Sequence, residues 1–500
     1  MTDSGLFTAP AVAATCTVRA TSQLDREKSG TATLMVVSVP TSTVPLGVNV
    51  QGIADYERQH FFADIVKQGR PWSVIGNPNS LVALDADGWP TANAMLVAIT
   101  GDPQPGTAGT YKLTAQGNWL IGLDTPLGAA SVANRVYDPS TNRTTADLVV
   151  GSDVRNVWPT FTATGGQTGG PKDVKIMRPG HAFGELFSRD FLARIAPFRA
   201  LRFMQWMGPP SRGVNGQTDR TWSERNLPGY ALQAGAALPP RPGEPSNWYF
   251  APRRSPAWEW IVLLANQVQK DVWITLPFFA DDDYITKVAQ LFRYGSDGVN
   301  PYTSPQANPV YPPLHSNLKL YVEFCNELWN DTYLTTEVNY NSVPMAWAPS
   351  TSYNIGWSQT GQRVKVGTGA AANVYELTAV NGVSTGYVAG TSGNVAPSGT
   401  ATFQDNTLTW TWRGTVASLK GWQHAANLDY TGGGNRSEQG WRKVGYHAVR
   451  QSLLFRAVFG SEMMTRVRPV LATQLVRYAT STMPLEYIAT VWGGTEGQVN

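Results

Sequence analysis

The stretch LYVEFCNELWND, from Leu320 to Asp331, begins like a buried β-strand and ends in polar residues. Because side chains alternate across a strand, Glu323, Cys325 and Glu327 are predicted to point to one face. Parallel strands are buried on both faces, so a carboxylate within one must be paired or functional. We therefore expect the chemistry of the protein at Glu327, the last of the three, at the C-terminal end of the strand.

Strand and helix patterns alternate on both sides of this stretch. Helices are predicted at 55–69, at 255–271 with Ser255 as N-cap and Pro256 at the first helical position, at 281–295 and at 437–460. Such an alternation predicts a parallel sheet and an α/β fold, here a (β/α)8 TIM-barrel-like domain. Apolar runs predict its strands at 45–50, 201–206, 272–276, 320–326, 467–472 and 486–491.

Two segments rich in short alternating runs interrupt the α/β pattern. Residues 72–165 predict an inserted β-sandwich, and residues 363–414 predict a small, nearly uncharged β module. Residues 1–39 resemble the last strands of a bacterial immunoglobulin-like domain, which leaves 40–500 for the barrel and its insertions. Only six barrel strands are found, so we expect a fragment of a longer protein whose barrel is truncated at the C-terminus.

Composition narrows the possible partners. The 500 residues carry a net charge of +3 without a basic block, so nucleic acid is not expected as a partner. No apolar run reaches the roughly 18 residues of a membrane span. The 18 Trp, 19 Tyr and 48 Gly are typical of extracellular, β-rich and sugar-binding proteins. We expect a location outside the cell or at the surface of a cell or virion.

Three blocks carry a resemblance to a known group of enzymes. LRFMQWM (201–207), WITLPFFADDDY (273–284) and YVEFCNELWN (321–330) resemble, in this order, a glycoside hydrolase group within or near clan A. The resemblance covers about 45–500, without the small β module. It implies a (β/α)8 barrel that acts on a polysaccharide, with no cofactor and no metal.

The resemblance also implies roles for individual residues. Glu327 becomes the acid/base of a retaining mechanism, and Asn326 the hydrogen-bond partner of the sugar hydroxyl next to the reacting carbon. Arg202 supports either the nucleophile or Glu323. Further candidates for substrate contact are Trp206, Trp329, Trp492, His181 and Asp282.

Each candidate also has a structural interpretation. Glu323 is expected to be an ion-pair partner, and Cys325 a small buried apolar residue rather than a nucleophile. The run 281–283 begins a helix, where an Asp caps the first turn more often than it binds substrate or metal. Trp206 and Trp492 are equally compatible with packing, and His181 is a weaker candidate for the cleft.

The nucleophile is not identified by the sequence. Clan A enzymes carry it on the seventh strand, which the six predicted strands do not reach; Glu496 follows the sixth too closely to be more than a weak candidate. Three functions therefore stay open. They are a retaining glycoside hydrolase, a carbohydrate-binding or adhesion protein on a decayed barrel, and a phage tail or other surface structural protein.

Overall fold

The computed structural model describes most of the chain. The described residues are 14–21, 29–36, 46–101, 106–124, 128–207, 221–234, 256–330, 332–358, 360–418, 428, 435–474 and 476–491. Trp492 and Glu496 lie outside them, as does Ser255.

The described residues form 25 strands and six α-helices. The strands are β1 (Ala14–Thr21), β2 (Ser29–Val36), β3 (Gly47–Asn49), β4 (Ser73–Val74), β5 (Asn77–Leu81), β6 (Ala94–Met95), β7 (Ile99–Thr100), β8 (Gly109–Gln116), β9 (Trp119–Leu123), β10 (Ala130–Asp138), β11 (Arg143–Val150), β12 (Asn156–Val157), β13 (Pro159–Ala163), β14 (Lys172–Met177), β15 (Ala200–Arg202), β16 (Asp271–Leu276), β17 (Leu320–Phe324), β18 (Met345–Ala346), β19 (Ser352–Ile355), β20 (Arg363–Val366), β21 (Asn373–Val380), β22 (Val388–Thr391), β23 (Phe403–Asp405), β24 (Leu408–Thr415) and β25 (Val467–Val470). The helices are α1 (Arg189–Ile195), α2 (Trp258–Val268), α3 (Asp282–Tyr294), α4 (Leu334–Asn341), α5 (Arg436–Phe459) and α6 (Ala479–Val491).

A parallel five-stranded sheet organises the α/β part. Its strand order is β25-β17-β16-β15-β3, which is the order of the chain read backwards. Every neighbouring pair is parallel, as the alternation of strands and helices predicted. Within the described residues this sheet is open rather than closed into a barrel. The structure thus establishes an α/β unit with a parallel sheet, together with several antiparallel sheets.

One face of the parallel sheet is apolar and covered by helices. Register aligns Leu201, Val272, Leu320 and Val467 across four neighbouring strands. All four are buried in one core together with residues of α1, α2, α3 and α5. Burying such a row removes its apolar surface from water, which is the main force that holds helices on a sheet.

Two predicted elements of the α/β part are wrong. Residues 486–491 belong to the helix α6 rather than to a sixth strand, because Tyr487, Ile488 and Val491 pack as one helix face on the cluster of Val343 and Leu428. The spacing of apolar residues in this 13-residue run is compatible with a helix as well as with a strand.

The predicted helix at 55–69 is also replaced, in this case by extended chain and a short 3₁₀-helix at Ile65–Gln68. Phe61, Phe62 and Ala63 are all fully buried in succession, which a helix lying on a surface does not allow. Phe62 instead forms a bridge with Phe187.

Helix starts are set partly by local capping. In α3 the Asp281 side chain accepts a hydrogen bond from the Tyr284 backbone N–H at 2.7 Å, so capping is confirmed for the first Asp of the run. In α2 the N-cap is Ala257, two residues after the predicted Ser255, and Pro256 lies before the helix.

Strands between residues 73 and 177 form a β-sandwich. Its two main sheets have the orders β10-β11-β8-β14 and β5-β4-β6-β13-β9, and both are antiparallel. Their inward side chains, among them Tyr111, Leu148 and Phe161, share one core. Because β14 pairs with β8, the segment 172–177 completes the sandwich and does not resume the α/β pattern at 174.

Strands between residues 345 and 415 form the small β module. Its main sheet has the order β18-β20-β21-β24-β23, and β19 pairs with β22. Tyr353, Tyr375 and Trp410 form its core. The module therefore takes in β18 and β19, which precede residue 363. At the N-terminus, β1 and β2 form an antiparallel hairpin.

Candidate functional site

The second face of the parallel sheet is polar. Register places Asn49, Arg202, Trp273, Tyr321 and Arg468 in a single row across all five strands. Unlike the apolar row, these side chains are half-buried or exposed. A second row, one pleat nearer the C-terminal ends of the strands, places Thr275 beside Glu323. We call this surface the polar face.

An arginine–glutamate pair lies at the centre of the polar face. Arg202 Nη2 is 2.7 Å from Glu323 Oε2, and Arg202 Nε is 3.3 Å from the same oxygen. Trp273 Nε1 donates to this oxygen at 2.9 Å, and Thr275 Oγ1 donates at 3.3 Å. The Arg202 guanidinium also lies over the Trp273 ring, 4.9 Å from its centroid. Four donors therefore converge on one carboxylate oxygen.

The other oxygen of Glu323 has no partner. Oε1 is buried without a hydrogen bond, and the residue is 1% exposed. Burial raises the pKa of the Glu323 carboxyl above its ordinary value, although the Arg202 charge and the hydrogen bonds of Arg202, Trp273 and Thr275 act in the opposite direction. The Glu323 carboxylate is thus hydrogen-bonded at one oxygen and unbonded at the other, so its partners offset only part of the cost of burying its charge.

Strand β17 ends at Phe324, so the alternation predicted for 323–327 does not continue to Glu327. Cys325 has φ 53° and Glu327 has φ 50°, both in the left-handed region that residues other than Gly rarely adopt. Cys325 consequently joins the apolar core, where burial raises the pKa of its thiol to about 12. This thiol is not ionised at neutral pH, in agreement with its predicted role as a small apolar residue.

Because Cys325 and Glu327 are both left-handed, the side chains of the neighbouring residues Asn326 and Glu327 have different surroundings. Asn326 is 4% exposed, and its Oδ1 accepts a hydrogen bond from Arg202 Nη2 at 3.1 Å. Asn326 thereby joins Arg202 and Glu323 on the polar face.

Glu327 is half-buried, and its Oε2 accepts a hydrogen bond from Asn330 Nδ2 at 2.8 Å. The Tyr333 hydroxyl is a second partner of Glu327; burial, followed by the charge of Glu327, raises the pKa of Tyr333. Asn326 and Glu327, although adjacent, therefore have different partners.

A small pocket, with room for about one water molecule, adjoins Glu327. It lies where β17 and β25 end, against the face of α5. Glu327 and Gln451 are its polar lining residues, and Gln451 Oε1 has no hydrogen-bond partner. The apolar or weakly polar remainder of the lining is Phe324, Cys325, Leu328, Val444, Ala448, Val470, Leu471 and Ala472.

Two predicted contact residues lie away from the polar face. Trp206 is 2% exposed and packs against Phe61, Phe62 and Phe203 with ring centroids 5.2–6.1 Å apart, so neither side of its ring is available to a sugar. His181 has one ring nitrogen 3.1 Å from the Pro179 carbonyl, and the other accepts from the Arg189 N–H at 3.0 Å. These bonds place His181 at the start of α1.

Two others have partners of their own. Asp282 is ion-paired with Arg450 of α5, with Arg450 Nε 2.6 Å from Asp282 Oδ1. Trp329 is half-buried, two residues beyond Glu327, and its Nε1 is buried without a hydrogen-bond partner. Trp329 therefore lies close in sequence to the pocket and stays a candidate for substrate contact.

The sequence interpretation missed five residues of the polar face: Asn49, Tyr321, Arg468, Trp273 and Thr275. The signal for the last two was present, because β16 and β17 were both predicted as parallel neighbours. Parallel register places alternate residues of the two strands on one face, and Trp273 and Thr275 are the outward-facing polar positions of β16.

No group of three or more His, Cys, Asp or Glu side chains suitable for a metal occurs among the residues that the structure describes. In the same part of the chain, no helix is long and apolar enough to span a membrane. Comparison of the chain with protein-family models, with curated proteins and with solved structures gives no match.

Proposed function

We propose that the protein is a glycoside hydrolase of a (β/α)8-barrel type, similar to the clan A group, which acts on a polysaccharide with Glu327 as proton donor. The observation that carries the proposal is the conformation at the end of β17. Two non-glycine residues in the left-handed region, at roughly 1–3 kcal/mol each, flank Asn326 and are maintained by the surrounding structure. Such strain is concentrated at functional sites.

The topology supports a barrel. Each successive strand, β3, β15, β16, β17 and β25, joins the sheet beside the previous one in the same direction. Right-handed crossovers then place all connecting helices on one face, as the shared core of α1, α2, α3 and α5 indicates. A doubly wound sheet reverses its strand order and carries helices on both faces. The one-sided arrangement supports a (β/α)8 barrel, a fold whose active site lies at the C-terminal ends of the strands.

The polar groups suit glycosidic bond cleavage. Glu327 is half-buried beside the pocket at the end of β17, where the proposal assigns it as proton donor to the leaving oxygen. Arg202 holds the buried Asn326 on the polar face, and the proposal assigns the Asn326 amide to a sugar hydroxyl. Glu323, at 1% exposure and bound by Arg202, supports the site and is not the second carboxyl group that a retaining mechanism needs. This proposal places the protein outside the cell or at the surface of a cell or virion.

One observation favours a second function, a carbohydrate-binding protein on the same scaffold. The polar partners of Glu327, Asn330 and Tyr333, are neutral, and the nearest carboxylate along β17, Glu323, is sequestered by Arg202. A site with a single accessible carboxyl group is able to bind a sugar without cleaving it.

The test compares Glu327→Gln with wild type on a panel of polysaccharides and on an aryl glycoside. General acid catalysis contributes about 10²–10⁴ in rate, so the variant should lose that factor on polysaccharide and much less on the aryl glycoside, whose leaving group needs no proton. Glu486→Gln, at an exposed position of α6, is the matched control and should be unaffected.

An unchanged polysaccharide rate in Glu327→Gln would remove the proton-donor role. If the intact protein binds a polysaccharide of the panel but hydrolyses none, the binding function replaces the hydrolase. If it neither binds nor hydrolyses, both functions are wrong.

A further inference from the structure

An unusual pair of aromatic residues lies on the small β module. Trp357 is 66% exposed and Tyr387 is 53% exposed, with their ring centroids 6.3 Å apart and the ring planes inclined by 32°. Trp357 follows β19, and Tyr387 immediately precedes β22, the strand with which β19 pairs. The two rings therefore lie side by side at one end of this antiparallel strand pair. We call them the aromatic pair.

The aromatic pair is not needed for the core of the module. That core consists of other aromatic and aliphatic residues, with Tyr353, Tyr375 and Trp410 each at most 4% exposed. The module thus divides its aromatic side chains into an inward set and an outward pair. Single exposed apolar residues are common, but two large rings exposed next to each other present a continuous surface that water solvates poorly.

The backbone beneath Trp357 is fixed from two directions. Glu337 of α4 accepts a hydrogen bond from the Ser358 N–H at 2.9 Å, and it also accepts one from the Trp357 backbone. A Cβ at Gly356 would overlap the carboxylate of Glu337, so the chain passes directly over that group. The Gly356 N–H also closes the loop onto the Thr360 carbonyl at 3.3 Å. Trp357 is therefore held in place before any ligand arrives, which lowers the entropic cost of binding.

The charge around the aromatic pair limits the ligand. In the principal charged cluster of the module, Arg363 and Arg413 both pair with Glu376. The carboxylate of Glu337, beneath Trp357, is bonded to the backbone of Trp357 and Ser358. The stretch from Asn381 to Ala396, which contains Tyr387, has no charged residue. Its side chains are hydroxyl, amide or small apolar groups. This surface suits an uncharged ligand with an apolar face and hydroxyl groups at its edge.

We propose that Trp357 and Tyr387 form a second binding site, for neutral polysaccharide, at a distance in sequence from the site at Glu327. The apolar faces of pyranose rings pack on the two aromatic rings, while the indole N–H and the phenol hydroxyl are free to bond sugar hydroxyls; neither group hydrogen-bonds another residue that the structure describes. The choice of polysaccharide as ligand rests on the proposed function. The existence of a binding surface rests on the aromatic pair itself.

The experiment is affinity electrophoresis of the full chain in gels that contain hydroxyethylcellulose, xylan, mannan or agarose, with alginate as the anionic comparison. Trp357→Ala and Tyr387→Ala should each weaken binding to the retaining polysaccharide about tenfold, a loss that corresponds to one aromatic contact at the upper end of its usual range. Tyr478→Ala, at a residue that is 80% exposed outside the module, is the matched control and should bind as wild type does. The melting temperature should be unchanged in all three variants, since none of these rings is in a core.

The outcomes separate this site from the proposed catalytic one. Hydrolysis of a short aryl glycoside should stay at the wild-type rate in Trp357→Ala and Tyr387→Ala, while Glu327→Gln should keep wild-type retention in the gel. Wild-type retention of both aromatic variants would overturn the second site even if hydrolysis is found. Failure of every neutral polysaccharide to retain the wild-type protein, or stronger retention by alginate, would also overturn it. Loss of retention in the aromatic variants without any hydrolysis would support the site and contradict the hydrolase.

Discussion

The α/β part of the molecule contains two buried arginine–glutamate pairs that differ in how completely the carboxylate is bonded. Arg225 binds Glu259 through both oxygens, with Nη1–Oε2 and Nη2–Oε1 distances of 3.0 Å, and Ser296 Oγ donates to Oε1 at 2.7 Å. Arg202 binds a single oxygen of Glu323, and the other oxygen has no partner. The first pair is bidentate and matched in geometry, which is the strong form of this interaction.

The two pairs also differ in burial, and the pair with the more completely bonded carboxylate is the more deeply buried one. The side chains of Arg225 and Glu259 are 2% and 0% exposed, and Glu259 lies in the first turn of α2, where the helix dipole favours a negative charge. The Arg202 side chain is 20% exposed and extends its guanidinium to Asn326, beside the strained end of β17. The first pair connects α2 to a neighbouring loop and stabilises the fold. The second pair holds the buried Asn326 side chain at the end of β17, where the proposed function uses it.

The largest expected effect is on the first pair. Glu259→Gln should lower the free energy of unfolding by about 3–5 kcal/mol, because it leaves the fully buried Arg225 without a counter-charge. Denaturant unfolding followed by tryptophan fluorescence measures this change. The control is Glu185→Gln, which breaks the exposed pair with Arg189 and should change stability by about 0–1 kcal/mol. Similar losses in the two variants would mean that the burial of Arg225 does not decide the effect.

A smaller effect is expected from the donors of the second pair. Trp273→Phe removes the 2.9 Å hydrogen bond to Glu323 Oε2 but keeps an aromatic ring beneath Arg202. The loss should be about 0.5–1.5 kcal/mol, the net contribution of one hydrogen bond, because Arg202 and Thr275 still serve the same oxygen. In the Glu323→Gln background the same substitution should have a smaller effect, and a double-mutant cycle measures the difference. A fully additive cycle would show that Trp273 acts through packing alone.

These two pairs also show what the sequence was able to predict. Strands β16 and β17 were predicted because an apolar, β-branched run is specific enough by itself. Capping by an Asp of the run 281–283 was predicted because capping involves only neighbouring residues. The pairing of Arg202 with Glu323 joins residues 121 positions apart. Its partners Trp273 and Thr275 follow only from the parallel register of two strands.

The end of β17 was beyond prediction for a different reason. The left-handed conformations occur at Cys325 and Glu327, and neither position carries the Gly or Asn that favours this conformation, so the break in alternation was not signalled there. Likewise, the runs at 55–69 and 486–491 have apolar spacings that suit either helix or strand. The contacts of Phe62 with Phe187 and of Tyr487 with Leu428 decided between the two. Local patterns thus predicted the elements, and contacts between distant residues determined the site.

The smallest expected effect, and the sharpest test of the comparison, is Glu323→Gln. An amide of the same shape keeps an acceptor for Arg202, Trp273 and Thr275 and places a neutral NH₂ where the unpartnered oxygen lay. Arg202 is partly exposed and is therefore solvated when its counter-charge is removed. At neutral pH the change in the free energy of unfolding should be less than about 1 kcal/mol, in contrast to Glu259→Gln.

The difference in the free energy of unfolding between wild type and Glu323→Gln should change with pH in a definite direction. Burial raises the pKa of Glu323 in the folded protein above its ordinary value of 4.5, so between these two pKa values the folded state binds more protons than the unfolded state. Stability then falls as pH rises through this range. Wild type should therefore lose stability relative to Glu323→Gln as pH rises above 4.5 and through the raised pKa, and the difference should be constant at lower pH. The measurement is denaturant unfolding of both proteins from pH 4 to pH 8. A wild type that gains stability relative to the variant over this range would mean that Arg202 fully compensates the Glu323 charge, and the two pairs would then be equivalent.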